Sequence, residues 1–519
     1  MRNRIFIVTP LLLGMCNAAL QAESFNIMGS RALGMGGAFV AVAEDATASY
    51  WNPASIAQQK NFDLEVPVNV RVEFTGGILK DVNTIGELAT KFSAVQSAQT
   101  NGSALNVDAL SSIFKTLPTL QSLNNSEKGV LVEAHGGLNM RIMRLGLFVN
   151  NYTSAGGTPY IDTSNIGFGS ASGLSGVSFT DGGTVSAADQ TTPPRLTSER
   201  DRLQTVISDV RTTLASAGFS IDASISDLEL ANALINKAIS ANVSDADIQS
   251  AVTTIETNKS SVKTLLTNAA SGNSYKNNTS NVTLRGISLF EAGLGYAHRF
   301  FVDDLYLGGN LKLLVGRVGY YQMTFLNQQV TGSGVAADFD KNTKQSVQPG
   351  IDLGFMYDKR EKYRTKLGIV ARNVNFPTFD QPSVAGSEPK YRVEPQVRAG
   401  LAFYPFKRTF WVISSDIDLT NNITPVPGFS SRMWGLGTEI NLINSNLLNL
   451  AVRAGVMNNL TEKNSKLSYT AGAGLKILHF FIEFAGALSS STEEIKSGVG
   501  ESQKVPQNLR AGAALGLNF

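Results

Sequence analysis

Cysteine and long apolar runs are the two features that this sequence most clearly lacks. Its single cysteine, Cys16, lies close to the N-terminus. The rest of the chain therefore offers no disulfide framework, no thiolate metal ligand and no thiol nucleophile. After residue 22, no stretch approaches the roughly 18 uninterrupted apolar residues that a membrane-spanning helix requires. Charge is sparse too, because Asp, Glu, Lys and Arg make up 17% of the chain against about 25% in soluble domains.

Histidine is also scarce, and this argues against a catalytic or metal site. The three histidines, His135, His298 and His479, are too scattered for a metal site. His135 and Glu133 would share one face of a strand, where they could form a catalytic pair or a simple hydrogen bond inside the protein. Glycines at 29–37 suggest a phosphate-binding loop, but no strand precedes them and no Lys-Ser or Lys-Thr follows. We expect no enzyme, no metal and no cofactor.

The first 22 residues have the pattern of a secretory signal peptide. Arg2 and Arg4 precede an apolar run from Ile5 to Leu13, and a stretch of small residues ends at Ala22, where we expect cleavage. The segment contains no acidic residue, so its removal takes the formal net charge from +2 to zero. A neutral mature chain has no general electrostatic attraction for nucleic acid, so no nucleic-acid partner is expected.

Strand-like alternation dominates the rest of the chain. Between Asn61 and Thr75 every second residue is apolar, and most residues between them are charged or carry an amide. A period of two is typical of a strand with one apolar face. Three later segments share an inward Arg-x-Gly pattern, at Arg398, Arg453 and Arg510. Inward charges beside glycines favour a polar lumen with something packed closely against its wall, although they could also solvate one face of a soluble sheet.

About fourteen such segments can be counted, and their connections alternate in length. The segments begin near residues 61, 129, 143, 282, 304, 345, 364, 391, 408, 432, 446, 466, 479 and 507. Long loops are predicted at about 76–127, 156–280, 327–343, 377–389, 420–430, 458–465 and 489–505, with tight turns between them. Short turns on one side and long loops on the other are typical of outer-membrane barrels, whose short side is periplasmic. The sequence therefore predicts an all-β fold over residues 59–519: a transmembrane antiparallel β-barrel of about 14 strands.

Two of the predicted loops are long enough to need structure of their own. The first covers about 76–127 and the second about 156–280. Within the second, apolar residues recur at helical spacing over about 194–272, with helix starts at Ser226-Asp227 and Ser244-Asp245. Loop parity puts both insertions outside the cell. The extracellular helical insertion could be a cap or docking surface, or a solvated bundle with only a packing role.

The last predicted strand runs from Asn508 to Phe519 and ends in an aromatic residue. It resembles the terminal strand that outer-membrane barrels present to their assembly machinery, although an edge strand of a soluble sandwich has the same alternation. We therefore expect the barrel-assembly machinery and outer-membrane lipid as partners. The expected location is the bacterial outer membrane, after removal of the signal peptide.

Residues 23–58 form an apolar, glycine-rich segment that is too short to be a domain, and we predict that it is an N-terminal plug in the lumen. Gly-Met-Gly-Gly-Ala at 34–38, followed by Glu-Asp-Ala at 44–46 and Asn52-Pro53-Ala54, closely resembles the plug of the FadL-like outer-membrane transporters. Lys366 to Val374 resembles a strand of the branch labelled conjugal-transfer TraF-like proteins. The resemblance covers the mature chain apart from the two insertions, and it implies a fourteen-stranded barrel.

The resemblance also implies that the plug closes the lumen and that an apolar ligand passes through a gap in the wall beside the third strand. This would place Asn52, Pro53 and Ala54 opposite the strand from about Leu145 to Ser154, where Asn150 and Asn151 interrupt the alternation. Three aromatic residues of the plug have two possible roles, since they could line a ligand pocket or form the plug core. They are Phe39, Tyr50 and Trp51.

Two functions therefore remain open. The first is passive uptake of long-chain fatty acids or other hydrophobic small molecules, with an apolar ligand bound between the plug and the loops. The second is a structural or interaction role in a conjugal-transfer or secretion apparatus, with an extracellular protein partner on the helical insertion. The chain lacks the Cys-x-x-Cys of the thioredoxin-like proteins that share the TraF name.

Overall fold

The structure is a computed structural model, and it describes most of the chain after residue 23. It describes residues 24–58, 62–79, 123–162, 178–179, 187–216, 220–221, 225–240, 244–257, 259–260, 278–300, 304–324, 335–406, 410–445, 447–462, 466–496 and 502–519. The predicted signal peptide lies outside the described residues, as does most of the first insertion.

Fourteen strands, each antiparallel to its neighbours, close into a single barrel. They are β1 Phe62–Thr75, β2 Gly129–Ile142, β3 Leu145–Tyr160, β4 Asn281–Arg299, β5 Leu305–Thr324, β6 Thr343–Lys359, β7 Thr365–Arg372, β8 Gln396–Phe403, β9 Trp411–Asp418, β10 Met433–Asn444, β11 Leu448–Asn459, β12 Ser468–Ile477, β13 Phe480–Ser489 and β14 Asn508–Asn518. The last strand closes the barrel on the first, with Leu517 opposite Leu64 and Leu509 opposite Val72. The predicted fold class is confirmed.

The loop pattern is confirmed as well, with one local error. Tight connections join β2 to β3, β4 to β5, β6 to β7, β8 to β9, β10 to β11 and β12 to β13, and long loops make the other connections. The eighth strand begins at Gln396 rather than near 391. Pro395 has no N–H to give to a ladder. The alternating residues before it, Tyr391–Arg392, pair instead with Thr378–Phe379 in a small hairpin of the preceding loop.

On the barrel wall, apolar side chains face outward and charged side chains face inward, which is the reverse of the arrangement in a soluble protein. Large apolar residues face outward and stay exposed, as in Val68 at 52%, Leu311 at 69% and Phe484 at 57%. Inward residues are charged yet buried, as in Arg398 at 0% and Glu291 at 1%. Such exposed apolar surface is stable only against lipid. The barrel is therefore a membrane-spanning wall around a filled polar lumen.

The plug occupies the lumen from Ser24 to Gln58. It contains a short helix α1 at Ser30–Gly34, another helix α2 at Ala48–Trp51, and a 3₁₀ turn at Pro53–Gln58. Nearly all of its side chains are buried, so it fills the lumen as the predicted plug would.

The helical insertion has a core of its own. The described helices of this region are α3 Ala187–Thr191, α4 Thr197–Ser216, α5 Asp227–Ser240 and α6 Asp245–Thr257. Both predicted helix starts are confirmed, and Ser226 and Glu229 form a reciprocal capping box, with the Ser226 N–H donating to Glu229 at 2.7 Å. Two further short helices, α7 Val335–Lys341 and α8 Arg360–Tyr363, lie in barrel connections. None of the described helices is long and apolar enough to cross a membrane.

Candidate functional site

The three plug aromatics form the centre of the plug rather than the lining of a pocket. Trp51, Phe39 and Tyr50 are 0%, 1% and 3% exposed. Trp51 packs edge-on against both other rings, at centroid distances of 5.6 and 5.5 Å. The Trp51 ring N–H donates to the carbonyl of Met28 at 3.0 Å, and the Tyr50 hydroxyl donates to the carbonyl of Asn26 at 2.6 Å. These contacts tie α2 to the N-terminal end of the plug.

Asn52, Pro53 and Ala54 dock on a different part of the wall from the one expected. The Asn52 amide donates to the carbonyl of Phe355 in β6 at 2.9 Å, and its oxygen accepts the N–H of Ala54 at 3.1 Å. Three wall glycines make room for this turn, because a Cβ at any of them would lie within 2.5–2.9 Å of it. They are Gly308 in β5, Gly354 in β6 and Gly368 in β7.

The expected gap beside the third strand is wrong. β3 pairs with β2 from Leu145 to Gly157 and with β4 from Leu145 to Tyr160, without a break in either ladder. Asn150 and Asn151 do not interrupt the alternation. Asn150 faces inward and exchanges hydrogen bonds with Asn139, whereas Asn151 faces outward and donates to Ser288 at 3.1 Å. Short polar residues fit either face of a strand when a neighbour satisfies them, so their sequence did not indicate an opening.

Two of the predicted inward arginines form buried ion pairs with carboxylates of the barrel wall. Arg398 lies 3.2 Å from Asp418 and donates to the carbonyl of Gly37 in the plug at 3.1 Å. Arg453 pairs with Glu439 at 2.6 Å and with Glu483 at 2.7 Å. Such buried ion pairs are stable only when each partner is satisfied.

The third arginine, Arg510, lies apart from those pairs. It is 6% exposed and donates to Asn508 at 3.3 Å. It lines a small cavity with His135 and Glu133. Glu133 accepts hydrogen bonds from Arg71 and Ser24, so its carboxylate is already occupied and does not orient His135. The His135–Glu133 pair weighed from the sequence is therefore not formed.

A cavity with a volume of about 240 Å³ lies at the extracellular end of the lumen. The ends of β4 and β5 form one side, and the two loops that follow β7 and β9 form the other. Its lining side chains are Arg285, Val318, Tyr320, Gln381, Glu388, Tyr391, Ile423, Thr424, Pro425 and Pro427. We call this cavity the vestibule.

One ion pair crosses the vestibule. Arg285 lies 3.2 Å from Glu388, and both side chains keep about a third of their surface exposed, at 30% and 33%. The guanidinium also lies over the ring of Tyr320, 5.3 Å from its centroid. A half-exposed pair of this kind contributes at most about 1 kcal/mol, so a ligand can displace it.

Below the vestibule, the lumen narrows through an apolar layer. Six buried side chains form it, with Tyr391 packed against them. They are Ile287, Leu289, Leu314, Val318, Phe379 and Val393. Phe379 packs so closely on the wall that a Cβ at Gly316 would lie 2.4 Å from its ring. An apolar solute that leaves the vestibule downward therefore meets an apolar surface.

Arg372 closes this route at the top of the plug. Its guanidinium carbon lies 3.9 Å from the Tyr50 ring centroid and 5.5 Å from that of Tyr152. It pairs with Glu291 at 3.1 Å. Small cavities of about 20 and 10 Å³ flank Asn26 beside this point. Both of these small cavities thus lie next to N-terminal residues of the plug.

Sequence reasoning missed the vestibule because its residues come from four separate segments of the chain. Arg285 and Tyr320 are inward positions of strands, but Tyr391 and Thr424 belong to loops whose return into the lumen has no periodic pattern. The only available signal was the pair of prolines at 425 and 427 beside apolar residues, which is unusual for a solvated loop.

The chain is similar to one described protein family. Residues 178–418 match the sequence model of the family described as "F plasmid transfer operon, TraF, protein". This confirms the resemblance to TraF-like proteins over somewhat less than half of the chain. The comparison with curated proteins found no match.

Several solved barrels are similar in structure along nearly their whole length. The deltaS2S3 mutant of TodX, a monoaromatic hydrocarbon channel, is 12% identical, with 95% of this chain and 99% of that chain covered and a TM-score of 0.43. The toluene transporter TbuX of Ralstonia pickettii is 11% identical, with 95% and 100% covered and a TM-score of 0.40. A FadL homologue of Pseudomonas aeruginosa is 8% identical, with 94% and 97% covered and a TM-score of 0.38.

Proposed function

We propose that this protein is an outer-membrane channel for passive uptake of a hydrophobic small molecule. The observation that carries the proposal is the continuity of the vestibule with the apolar layer beneath it, because Val318 and Tyr391 belong to both. An apolar solute gains about 25 cal/mol for each Å² that it buries there. A barrel that served only as a structural support would not need an apolar route leading inward from its mouth.

The proposed mechanism has four steps: capture in the vestibule, transfer into the apolar layer, displacement of the N-terminal plug residues, and release. Ser24 to Met28 are the plug residues proposed to move. Asn26 lines both small cavities beside the plug. By contrast, the plug near Gly36 is in direct backbone contact with the wall, since a Cβ at Gly435 would lie 2.1 Å from the Gly36 carbonyl oxygen. In this proposal the N-terminal residues shift while the remaining plug stays docked, and the shift breaks the hydrogen bonds from Tyr50 to Asn26 and from Trp51 to Met28.

Uptake of radiolabelled oleate and toluene tests the proposal, in a Gram-negative host that lacks its own fatty-acid channel. Ile423 lines the vestibule and is partly buried. We expect Ile423→Trp to fill the cavity and lower uptake at least about fivefold. The matched control is Val384→Trp, since Val384 is 51% exposed on a neighbouring loop and is not among the lining residues. Uptake no greater than that of cells without the protein, for both probes, would refute the proposal.

The choice between a fatty acid and a neutral hydrocarbon depends on Arg285. It is the one cation among the described lining residues of the vestibule, so it can pair with a carboxylate once Glu388 is displaced. If the cargo is a fatty acid, Arg285→Gln lowers oleate uptake and leaves toluene uptake unchanged. If the cargo is a neutral hydrocarbon, the same substitution changes neither oleate uptake nor toluene uptake.

The second candidate is an interaction component of a conjugal-transfer or secretion apparatus. The match of residues 178–418 to the family named for F plasmid transfer favours it, and so does the insertion with its own buried core. Native mass spectrometry of gently extracted protein tests this role. A partner protein present in stoichiometric amount, and lost when residues 194–272 are deleted, would support it. A discrete apolar molecule carried by a monomer would support uptake instead.

A further inference from the structure

Cations are concentrated on one side of the periplasmic rim of the barrel. Six lie on three consecutive tight connections, those between β2 and β3, between β4 and β5, and between β6 and β7. They are Arg144, Arg299, Lys359, Arg360, Lys362 and Arg364, which we call the basic rim. The next tight connection, between β8 and β9, adds Lys407 and Arg408 in the sequence, whereas the two after it, at 445–447 and 478–479, contain no lysine or arginine.

The three connections of the basic rim lie next to one another in space. The Ala297 N–H donates to the carbonyl of Arg144 at 3.3 Å, and the Asp358 N–H donates to the carbonyl of Asp304 at 2.8 Å. Neighbouring strands of a sheet lie about 5 Å apart, so successive connections lie about 10 Å apart. The six cations therefore form one continuous arc.

The arc has six cations and four carboxylates, those of Asp303, Asp304, Asp358 and Glu361, so its formal charge is positive. Asp304 pairs with Lys359 at 2.7 Å and with Arg299 at 3.5 Å, and Asp358 pairs with Arg360 at 2.7 Å. The other three cations have no carboxylate partner among the described residues, and all three are exposed. They are Arg144, Lys362 and Arg364. The arc is thus ready to accept an external anion.

Exposed apolar side chains identify the environment of that anion. Met143 is 65% exposed, Tyr363 is 58% exposed and Tyr296 is 51% exposed, and each lies in or beside the arc. The Lys362 ammonium lies 5.1 Å from the centroid of the Tyr363 ring, and the Lys359 ammonium lies 5.0 Å from that of the Tyr357 ring. Aromatic residues beside lysine and arginine are typical of the boundary between acyl chains and headgroups. An acidic protein in the aqueous periplasm would not require apolar side chains facing outward into the bilayer.

We propose that the basic rim binds anionic phospholipid headgroups of the inner leaflet of the outer membrane. The three cations without a carboxylate partner contact the phosphates, while Met143, Tyr296 and Tyr363 contact the acyl chains. The site is independent of the proposed uptake function. Arg360 also pairs with Glu44 of the plug at 2.8 Å, so bound lipid competes for a side chain that contacts the plug.

Native mass spectrometry in lipid nanodiscs tests this proposal. The full mature protein is incorporated in phosphatidylethanolamine mixed with phosphatidylglycerol, and the lipids that remain bound are counted. We expect at least a fivefold preference for phosphatidylglycerol in the unmodified protein, because each cation near an anionic lipid surface favours binding. The triple variant Arg144→Gln/Lys362→Gln/Arg364→Gln should lose this preference.

The matched control removes three cations that are exposed on the extracellular side, by Arg195→Gln/Lys341→Gln/Lys390→Gln. Their side chains are 58%, 76% and 70% exposed. The control triple variant should keep the preference for phosphatidylglycerol. No preference in the unmodified protein would overturn the proposal, as would equal loss in both triple variants. A polyglutamate peptide can be tested for binding to the rim in nanodiscs of pure phosphatidylethanolamine. If the peptide bound more tightly than phosphatidylglycerol binds, the proposal would be overturned in favour of an acidic protein partner.

Discussion

Glu439 lies between two arginines that belong to different parts of the molecule. Arg31 of the plug approaches it at 2.7 Å and Arg453 of β11 at 2.6 Å, while Glu439 itself is 4% exposed. Arg31 keeps 26% of its side chain exposed and also pairs with Asp45 at 3.1 Å. The Glu439 carboxylate therefore joins the plug to the wall, and its burial keeps water from taking its place beside the arginines.

Glu439→Gln should accordingly destabilise the folded barrel. The substitution leaves Arg453 with one carboxylate and removes the main partner of Arg31, and loss of one member of a buried pair typically costs about 3–5 kcal/mol. The measurement is the urea midpoint of the folded band on a gel run without heating. Asp340→Asn is the control, because its pair with Arg317 of β5 is 65% and 45% exposed and should contribute at most about 1 kcal/mol. Similar midpoints for the two variants would contradict the role of Glu439.

Single glycines of the wall also matter, because the absence of a side chain leaves space for the plug backbone. A Cβ at Gly437 would lie 2.2 Å from the Met35 carbonyl oxygen, which is backbone and cannot swing aside. The inward glycines were predicted from the sequence to allow close approach of the plug. Their partners were not predictable, because nothing in the sequence around Met35 indicates which of fourteen strands it meets.

Gly437→Ala should therefore loosen the plug, whereas Gly486→Ala should not. At Gly486 the nearest atom to an added Cβ would be the Arg510 carbonyl oxygen at 3.7 Å, which is ordinary contact. Overpacking at Gly437 is expected to cost about 1–3 kcal/mol. Single-channel recording in a planar bilayer provides the readout. Frequent openings of Gly437→Ala, with a quiet Gly486→Ala, are the expected result, and equal silence would show that the plug adapts to the added methyl group.

At the scale of elements, what could be predicted depended on whether the pattern was local. All fourteen strands and the alternation of turns and loops followed from period-two patterns and turn residues close to one another in the sequence. The start of β8 was misplaced because Tyr391 and Arg392 alternate like a strand but pair in a loop hairpin. The vestibule was not predictable, since Arg285, Tyr391 and Ile423 meet only after the loops fold back over the barrel.

The helical insertion should be able to unfold without the barrel. Its buried cluster includes Ile235 of α5 at 2% exposure and Ile207 of α4 at 5% exposure, and every member of the cluster belongs to the insertion. Ile235→Ala should cost about 2–5 kcal/mol, which is a large share of the stability of so small a unit. Trypsin should then cut within α4 to α6, while the barrel keeps its mobility on an unheated gel. Leu228→Ala is the control, because Leu228 is 40% exposed. Loss of the folded barrel band in Ile235→Ala would show that the two fold together.

The connection between β11 and β12 should be sensitive to pH through Glu462. Burial, together with the nearby carboxylates of Glu73 and Glu127, raises the pKa of Glu462 to about 7 against the opposing charge of Arg71. Because the folded form prefers the neutral acid, stability is fully present below the usual pKa of about 4.5 and is lost as the pH rises through about 7. Hydrogen exchange of residues 460–462, corrected for intrinsic rate, should be faster at pH 8 than at pH 5. Glu462→Gln should remove the difference.

For the whole molecule, the proposed uptake raises the question of which part of the plug would move when a solute passes. The plug body is held by glycine contacts on two sides, at Gly437 and at Gly354, and by ion pairs at Glu439. Its N-terminal residues have free space beside Asn26. We expect the barrel to stay closed to ions while this short segment shifts, and this is the motion that the proposed uptake requires.

A disulfide between the plug and the wall separates the two kinds of motion. A Cβ at Gly146 in β3 would lie 3.4 Å from the Cβ of Ser49 in α2, close to the 3.5–4.5 Å that a disulfide needs. The only native cysteine, Cys16, lies in the predicted signal peptide, so Ser49→Cys/Gly146→Cys can form a single defined bond. We expect the oxidised variant to keep most of its uptake of oleate or toluene, because α2 need not move. Single-cysteine variants and the reduced form are the controls. Uptake that fell on oxidation and returned on reduction would show instead that the whole plug, including α2, must move away from the barrel wall.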